Sequence, residues 1–335
     1  MTAAERIILQ DPRVGGVILF ARNFANRKQL CALTASIHAA REGTHLPQLL
    51  IAVDHEGGRV QRFKSDGFTH LPTMAKLGAL WLKDPLHALR VASGAGYVLA
   101  AELLACGVDL SFTPVLDLDY GQSSVIGDRA FSGDERAASV LARALISGLH
   151  RAGMRSCGKH FPGHGYVAAD SHHDIPVDKR SFKAIMGKDG APYAWLRDVL
   201  DSVMPAHVIY PKVDSQPAGF SKVWMNVLRK ECGFDGVAFS DDLSMAGATV
   251  AGDIHARAKA ALSAGCDMVL VCNSPDLAAQ LLQGTALKQS APAIKTSHIR
   301  ISRLMPNALP ELTNWKSLQA FAPYQLALAD VQSLK

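Results

Sequence analysis

Short apolar runs that end in polar residues alternate along this chain with longer stretches of helical periodicity. Seven of the apolar runs are candidate strands, at residues 15–23, 48–56, 109–119, 154–161, 202–207, 236–242 and 267–273. Stretches with a helical period predict helices at 27–41, 92–107 and 135–153. Ser132 and Glu135 have the spacing of a capping box before the third helix. Apolar strands that alternate with helices predict a parallel sheet covered by helices.

A TIM-type (β/α)8 barrel is the simplest closed form of this pattern. Reactive groups in such barrels follow the carboxyl ends of the strands. In this chain, the polar residues at those positions are Asp54, Asp119, Lys159, His160, His207, Asp241 and Asn273. A doubly wound sheet is the alternative, but VDHEGGRVQR lacks the GxGxxG spacing of its phosphate loop. We therefore predict a barrel over residues 1–286, apparently without its first strand, and a helical tail over 287–335 packed on it.

Composition narrows the possible partners and the cellular compartment. The net charge is +5, but lysine and arginine are scattered, which favours a solvated surface over a nucleic-acid-binding arm. The only apolar run near the amino terminus, at 17–20, fits neither a signal peptide nor a membrane span. Six separated cysteines without a CxxC pair predict reduced thiols. We expect a cytoplasmic monomer without nucleic-acid or membrane partners.

Two polar segments carry the candidate chemistry. In GKHFPGHGYVAADSH (158–172), Asp170 precedes His172 by two residues, so its carboxylate can orient the imidazole and favour a general acid. In GVAFSDDLSM (236–245), an apolar strand runs into Asp241 and Asp242, and alternation of side chains predicts that one of them faces a cavity. A helix cap at Ser240–Asp241 and a solvated loop around Asp170 are the competing structural interpretations.

Metal binding is the competing chemical interpretation. Zinc accepts histidine ligands, and five of the thirteen histidines lie within 48 residues: His160, His164, His172, His173 and His207. Pro162 and Gly163 interrupt the HxxxH formed by the first two, so these are not a helical i, i+4 pair. Lys159 and His160 at a strand end are better suited to donate to substrate hydroxyl or carbonyl groups.

Seven motifs occur in a fixed order over about residues 5–285. They are VDHEGGRVQR (53–62), DLSFTPVLDLD (109–119), IGDRAF (126–131), GKHFPGHG (158–165), DSH (170–172), MPAHVIYP (204–211) and FSDDLSM (239–245). In this order they resemble the motifs of the bacterial β-N-acetylglucosaminidases of glycoside hydrolase family 3, the NagZ type. KHFPGHG and DSH mark the N-acetylhexosaminidase branch. The resemblance also implies a strand before the helix that contains TAAERIILQDP, and we expect this chain to start after that strand.

The resemblance implies a retaining double displacement. Asp241 corresponds to the nucleophile that forms a covalent glycosyl-enzyme, and His172, with Asp170 as its partner, to the acid/base in place of the usual second carboxylate. The positions that hold the terminal N-acetylglucosamine correspond to Asp54, Arg62, Arg129, Lys159 and His160. His207 and Met245 are expected to line the pocket, and Asp242 to lie behind it. No role is predicted for His164 or His173.

The implied substrate is a cell-wall fragment, N-acetylglucosaminyl-1,6-anhydro-N-acetylmuramyl peptide. Its cleavage in the cytoplasm belongs to peptidoglycan recycling, and so to cell-wall biogenesis, cell division and cell shape. The resemblance implies no metal or organic cofactor. Two alternatives remain: a metal-dependent barrel hydrolase, and a catalytically inactive protein that binds cell-wall sugars.

Overall fold

The computed structural model describes residues 1–168, 175–284 and 290–334. The strands are β1 (Gly16–Leu19), β2 (Leu50–Val53), β3 (His55–Gly57), β4 (Val60–Gln61), β5 (Leu110–Ser111), β6 (Cys157–Phe161), β7 (Ser202–Pro205), β8 (Ile209–Tyr210), β9 (Asp214–Pro217), β10 (Val237–Asp242) and β11 (Met268–Leu270). The α-helices are α1 (Ala3–Leu9), α2 (Arg27–His38), α3 (Met74–Trp81), α4 (Pro85–Leu104), α5 (Glu135–Ala152), α6 (Phe182–Met186), α7 (Ala191–Trp195), α8 (Lys222–Asn226), α9 (Ile254–Ala264), α10 (Pro275–Gln283), α11 (Ala291–Ser302), α12 (Trp315–Ala320) and α13 (Ala322–Gln332). Shorter 3₁₀ turns span Ala21–Asn23, Ala39–Arg41, Gly127–Arg129, Ala218–Phe220, Ala246–Ala251 and Pro310–Leu312, and a π-turn spans Val227–Glu231.

The parallel strands form two sheets that adjoin each other. β1, β2 and β5 make the first sheet, and β6, β7, β10 and β11 make the second. Isolated parallel bridges from Leu110 to Arg155 and from Val115 to Lys159 join them. The strands therefore follow one another in chain order, as repeated strand–helix units require. Short antiparallel hairpins, β3–β4 and β8–β9, extend from the carboxyl ends of β2 and β7.

The predicted α/β architecture with parallel strands is confirmed, but the structure does not show a closed barrel. Among the described residues, β1 pairs with β2 alone and β11 with β10 alone. The Arg22 guanidinium, after β1, donates to Asn273 Oδ1, after β11, at 2.7 Å. All seven apolar runs nevertheless contain one of the parallel strands.

One apolar cluster lies against both sheets. Leu50 of β2 and Phe112 after β5 pack with Met204 of β7 and Phe239 of β10, and all four are buried. The Phe112 and Phe239 rings meet edge to face with their centroids 5.3 Å apart. Burial of each side chain of this size contributes about 1.5–3 kcal/mol. The shared cluster holds the carboxyl ends of both sheets on the same side of the molecule.

The carboxyl-terminal helices contact two regions of the remaining structure. Leu304, after α11, belongs to the apolar cluster between the sheets. Tyr324 of α13 donates to Glu102 Oε1 of α4 at 2.8 Å. No helix in the described ranges has the length and apolar character needed to cross a membrane.

The start of α5 differs from the sequence prediction. The cap is Asp134, whose carboxylate accepts from the N–H groups of Arg136 and Ala137 at 3.1 and 2.7 Å. The predicted capping box of Ser132 and Glu135 is therefore wrong. The aspartate lies directly before the first helical turn, where it reaches the unpaired N–H groups and its negative charge is favourable.

Candidate active site

The carboxyl ends of the parallel strands surround a pocket of about 460 Å³. Six of the predicted site residues line it: Asp54, Arg62, Arg129, Lys159, His160 and Asp241. The other two, Asp170 and His172, lie outside the described residues. Parallel strands in chain order place all their carboxyl ends at one edge, which explains why residues so distant in sequence meet here.

Lys159, on β6, lies between two carboxylates and its side chain is only 3% exposed. Its Nζ is 2.8 Å from Asp54 Oδ1 and 2.7 Å from Glu56 Oε1. Burial by itself would lower the pKa of Lys159, but the two carboxylates raise it above its ordinary value. Burial likewise opposes ionisation of Asp54, yet Lys159 holds the pKa of this carboxyl below its usual range. Lys159 and Asp54 therefore both remain charged.

Glu56 is a buried, charged pocket residue that the sequence prediction missed. Arg129 binds its carboxylate in a bidentate pair through one edge of the guanidinium, Nε to Oε2 and Nη2 to Oε1, each at 2.8 Å. Burial would raise the pKa of Glu56, but Arg129 and Lys159 hold it far below its usual range. Alternation along the chain was an available signal, because Glu56 follows Asp54 by two residues and so shares its face.

The turn that carries Arg129 is tied to the β3–β4 hairpin by Arg59. Its Nε is 2.9 Å from Asp128 Oδ1, and its Nη2 donates to the carbonyl oxygens of Ser124 and Val125 at 3.0 and 2.6 Å. Arg59, Ser124 and Val125 also line the pocket. These bonds fix the wall that presents Arg129.

Asp117 anchors the histidine side of the pocket. Its Oδ2 is 2.6 Å from His160 Nδ1, and its Oδ1 accepts from the backbone N–H of His164 at 2.7 Å. With Nδ1 held by a carboxylate, the Nε2 edge of His160 is left to face the pocket. Asp119, two residues later, was the expected strand-end residue, but it accepts from the Gly121 N–H and does not line the pocket.

Asp241 and Asp242 end β10, and both line the pocket, where alternation predicted only one. The pairing of β10 with β11 shifts register between Phe239 and Asp242, and such an irregularity re-aims side chains. Asp242 Oδ1 accepts from the backbone N–H groups of Ser244 and Cys272, each at 2.9 Å. These donors tie Asp242 to the chain after β10 and to the chain after β11, while Asp241 Oδ1 accepts from the Asp242 N–H at 2.8 Å.

Of three residues near Asp241, one lines the pocket and two support the end of β10. Ser240 caps no helix, since its hydroxyl accepts from the Leu270 N–H at 3.0 Å. Met245 lines the pocket as predicted, but His207 does not, and that prediction is wrong. His207 is fully buried, with Nε2 3.2 Å from the Asp242 carbonyl oxygen. Burial lowers its pKa, so the ring supports the end of β10 as a neutral imidazole.

The chain on either side of residues 169–174 is held together by Arg180. Its guanidinium carbon lies 3.9 Å from the centroid of the Tyr166 ring. It also forms ion pairs with Asp178 at 2.7 Å and Asp189 at 2.8 Å. His164, eight residues before His172, lines the pocket.

The described histidines do not gather into a metal centre. In the ranges 1–168, 175–284 and 290–334, no three histidine, cysteine, aspartate or glutamate side chains are placed to hold a metal ion. The His160 and His164 rings meet edge to face with their centroids 6.0 Å apart.

Comparisons with known proteins agree with these motifs. The family profile described as "Glycosyl hydrolase family 3 N terminal domain" matches residues 1–304. The chain is similar to a "Beta-hexosaminidase" of Bordetella parapertussis, with 63% identity over 330 residues, 98% of this chain and 90% of that protein. It is also similar to the crystal structure of native NagZ from Neisseria gonorrhoeae, with 47% identity, a TM-score of 0.91 and coverage of 100% of this chain and 94% of that one. NagZ from the same organism in complex with N-trifluoroacetyl-D-glucosamine has a TM-score of 0.90 at the same identity and coverage.

Proposed function

The chain belongs to glycoside hydrolase family 3, and we propose that it is a retaining β-N-acetylglucosaminidase. The similar Bordetella parapertussis protein is named a beta-hexosaminidase, and the similar Neisseria gonorrhoeae protein binds an N-acylated glucosamine. The observation that carries the proposal is the pocket itself. It combines the Asp241 carboxylate at the end of β10 with charged and imidazole groups suited to the hydroxyl and acetamido groups of a sugar.

In the proposed reaction, the Asp241 carboxylate attacks the anomeric carbon while the bond to the leaving oxygen breaks. His172, oriented by Asp170, donates a proton to that oxygen. His172 then takes a proton from water, which attacks the glycosyl-enzyme, frees Asp241 and releases N-acetylglucosamine with retained configuration. In the sequence, these two residues lie between His164, which lines the pocket, and Arg180.

Sugar recognition is assigned to Asp54, Arg62, Arg129, Lys159 and His160. Asp54 and Lys159 are charged partners that can exchange hydrogen bonds with vicinal hydroxyls. Arg62 contacts Asp54 at 3.4 Å and adds a second cation on the same side. His160, fixed by Asp117, presents its Nε2 edge to the ligand.

We assign the biological substrate to the N-acetylglucosaminyl-1,6-anhydro-N-acetylmuramyl peptides of peptidoglycan recycling, cleaved by a cytoplasmic monomer. The two sheets are further proposed to be arcs of one TIM-type barrel. The apolar cluster common to both sheets supports this assignment. Residues 1–286 then form the barrel domain and 287–335 the tail.

The test is hydrolysis of p-nitrophenyl N-acetyl-β-D-glucosaminide, with the first-formed anomer identified by NMR. We expect the β-anomer first and a fall in kcat of at least about 10³-fold in Asp241→Asn, because the amide cannot form the covalent intermediate. Asp253→Asn is the matched control. Asp253 caps α9 by accepting from the Ala256 N–H at 2.8 Å, and asparagine caps equally well.

Chelator treatment separates the alternatives. Activity that persists in EDTA supports the proposal, whereas loss of activity restored by added metal would favour a metal-dependent hydrolase. Calorimetric binding of N-acetylglucosamine without any hydrolysis by the wild-type chain would identify an inactive sugar-binding protein.

A further inference from the structure

Glu56 connects two cations that come from different parts of the chain. Lys159 lies on β6, and Arg129 lies in the 3₁₀ turn Gly127–Arg129. Both donate to the one carboxylate, Lys159 Nζ at 2.7 Å and Arg129 Nε and Nη2 at 2.8 Å each. Glu56 is only 3% exposed, so water competes little for these bonds.

These ion pairs leave a defined set of donors for a ligand. A lysine ammonium has three N–H groups, and Asp54 and Glu56 accept from two of them. Arg129 has five, of which two go to Glu56 and one to the Val125 carbonyl oxygen at 3.2 Å. No other acceptor among the described residues takes the one remaining N–H of Lys159 or the two of Arg129, and both residues line the pocket.

From this geometry we propose that Glu56 is a positioning residue for N-acetylglucosamine. Its carboxylate holds the Lys159 ammonium and the Arg129 guanidinium at a fixed separation, so that their remaining N–H groups bind the sugar together. The inference rests on the proposed function, in which both cations bind the sugar. Glu56 acts through them and takes no part in bond making or breaking.

Glu56 also keeps Lys159 charged. The charged groups that face Lys159 are Asp54, Glu56 and Arg129. Burial disfavours the ammonium, as does Arg129, and the two carboxylates together raise the pKa of Lys159 above its ordinary value. When one of the two carboxylates is removed, less negative charge counteracts the effect of burial, so the pKa of Lys159 falls.

The experiment measures the Kd of N-acetylglucosamine by calorimetry between about pH 6 and pH 10, the range below the ordinary lysine pKa. In Glu56→Gln we expect binding at neutral pH to weaken by about 10-fold, because the two cations lose their shared charged acceptor. The Kd of this variant should rise further as the pH increases, since the lowered pKa lets Lys159 lose its proton at a lower pH than in the wild type. The wild-type Kd should show no such rise.

Glu102→Gln is the matched control, because it removes a buried carboxylate that does not line the pocket. Glu102 is fully buried and accepts from Thr69 and Tyr324. This variant should keep the wild-type Kd and its pH dependence. Glu56→Asp, which retains the charge on a shorter side chain, should weaken binding without the added pH dependence.

Two outcomes would overturn the role of Glu56. The first is a wild-type Kd at every pH in Glu56→Gln. If circular dichroism shows that Glu56→Gln does not fold, the second outcome is a wild-type Kd in Glu56→Asp. Reporter hydrolysis by the wild-type chain, measured in parallel, tests the proposed function separately, because the Kd comparison requires no turnover.

Discussion

At the scale of single residues, buried carboxylates position the side chains that face the pocket. Asp117 accepts hydrogen bonds from His160 Nδ1 at 2.6 Å, from the His160 N–H at 3.3 Å and from the His164 N–H at 2.7 Å. Burial opposes its ionisation, but His160 and the other donors hold the pKa of Asp117 below its usual value. Asp117 thus fixes both the ring and the backbone of the HFPGH segment.

Asp117→Asn is expected to lower kcat/KM for the reporter by about 10²-fold, because a displaced His160 no longer meets the sugar in the right place. Asp109→Asn is the matched control. Asp109 also pairs a buried carboxylate with a histidine, His38 Nε2 at 3.0 Å, and with a backbone N–H, that of Ile51 at 2.8 Å, but it does not line the pocket. Equal activities of the two variants would contradict the role of Asp117.

At the scale of elements, α4 and α5 approach each other closely enough to exclude side chains. A Cβ at Gly96 of α4 would lie 2.1 Å from the Leu145 carbonyl oxygen of α5. A Cβ at Gly148 of α5 would lie 2.0 Å from the Ser93 carbonyl oxygen of α4. The close contact fixes α4 and α5 against each other, and α5 leads directly into β6, which carries Lys159 and His160.

Gly96→Ala should lower the free energy of unfolding by about 1–3 kcal/mol, because the added methyl group meets backbone atoms that have no room to move. This loss outweighs a gain of about 1 kcal/mol in helix propensity. Gly219→Ala is the control, since its nearest neighbours would lie 3.8 Å away. Urea denaturation of both variants measures the effect, and a Gly96→Ala protein as stable as Gly219→Ala would refute the packing argument.

At the scale of the whole molecule, three buried histidines make stability depend on pH. Burial lowers the pKa of His55 to about 3, and it also lowers the pKa of His164 and of His207. The unfolded chain therefore binds more protons than the folded one below the ordinary histidine pKa of about 6.5. Stability is present above that pH and is lost as the pH falls towards the folded-state values. Asp54, Glu56 and Asp117, whose pKa values are also lowered, add to this loss below about pH 4.5.

The free energy of unfolding should fall between pH 7.5 and pH 5.5, by about 1.4 kcal/mol from His55 alone. Urea midpoints at the two pH values measure the change. His55→Gln removes this one titrating group and should show a pH dependence smaller by that amount. An identical pH dependence in the variant and the wild type would show that His55 does not contribute.

A prediction from the sequence agrees with the structure where the predicted feature leaves a local pattern in the chain. The seven strands were predicted in the right places because each is a short apolar run followed by a polar residue. The cap of α5 was placed on Ser132 rather than Asp134 because both residue types cap helices, and only the backbone path selects between them. Asp242 was expected outside the pocket because strict alternation does not anticipate a change of register.

The order of the seven parallel strands, and the edge of the sheets where Asp54, Lys159, His160 and Asp241 meet, were determined by the sequence alone. Hydrophobic period and chain order are local properties, and parallel strands necessarily bring their carboxyl ends to one edge. Only the tertiary structure decided that Glu56 binds Arg129, 73 positions away, and that Asp117 holds His160, 43 positions away. Contacts at such separations have no periodic signature in the chain, because they arise only when the strands have assembled around a common core.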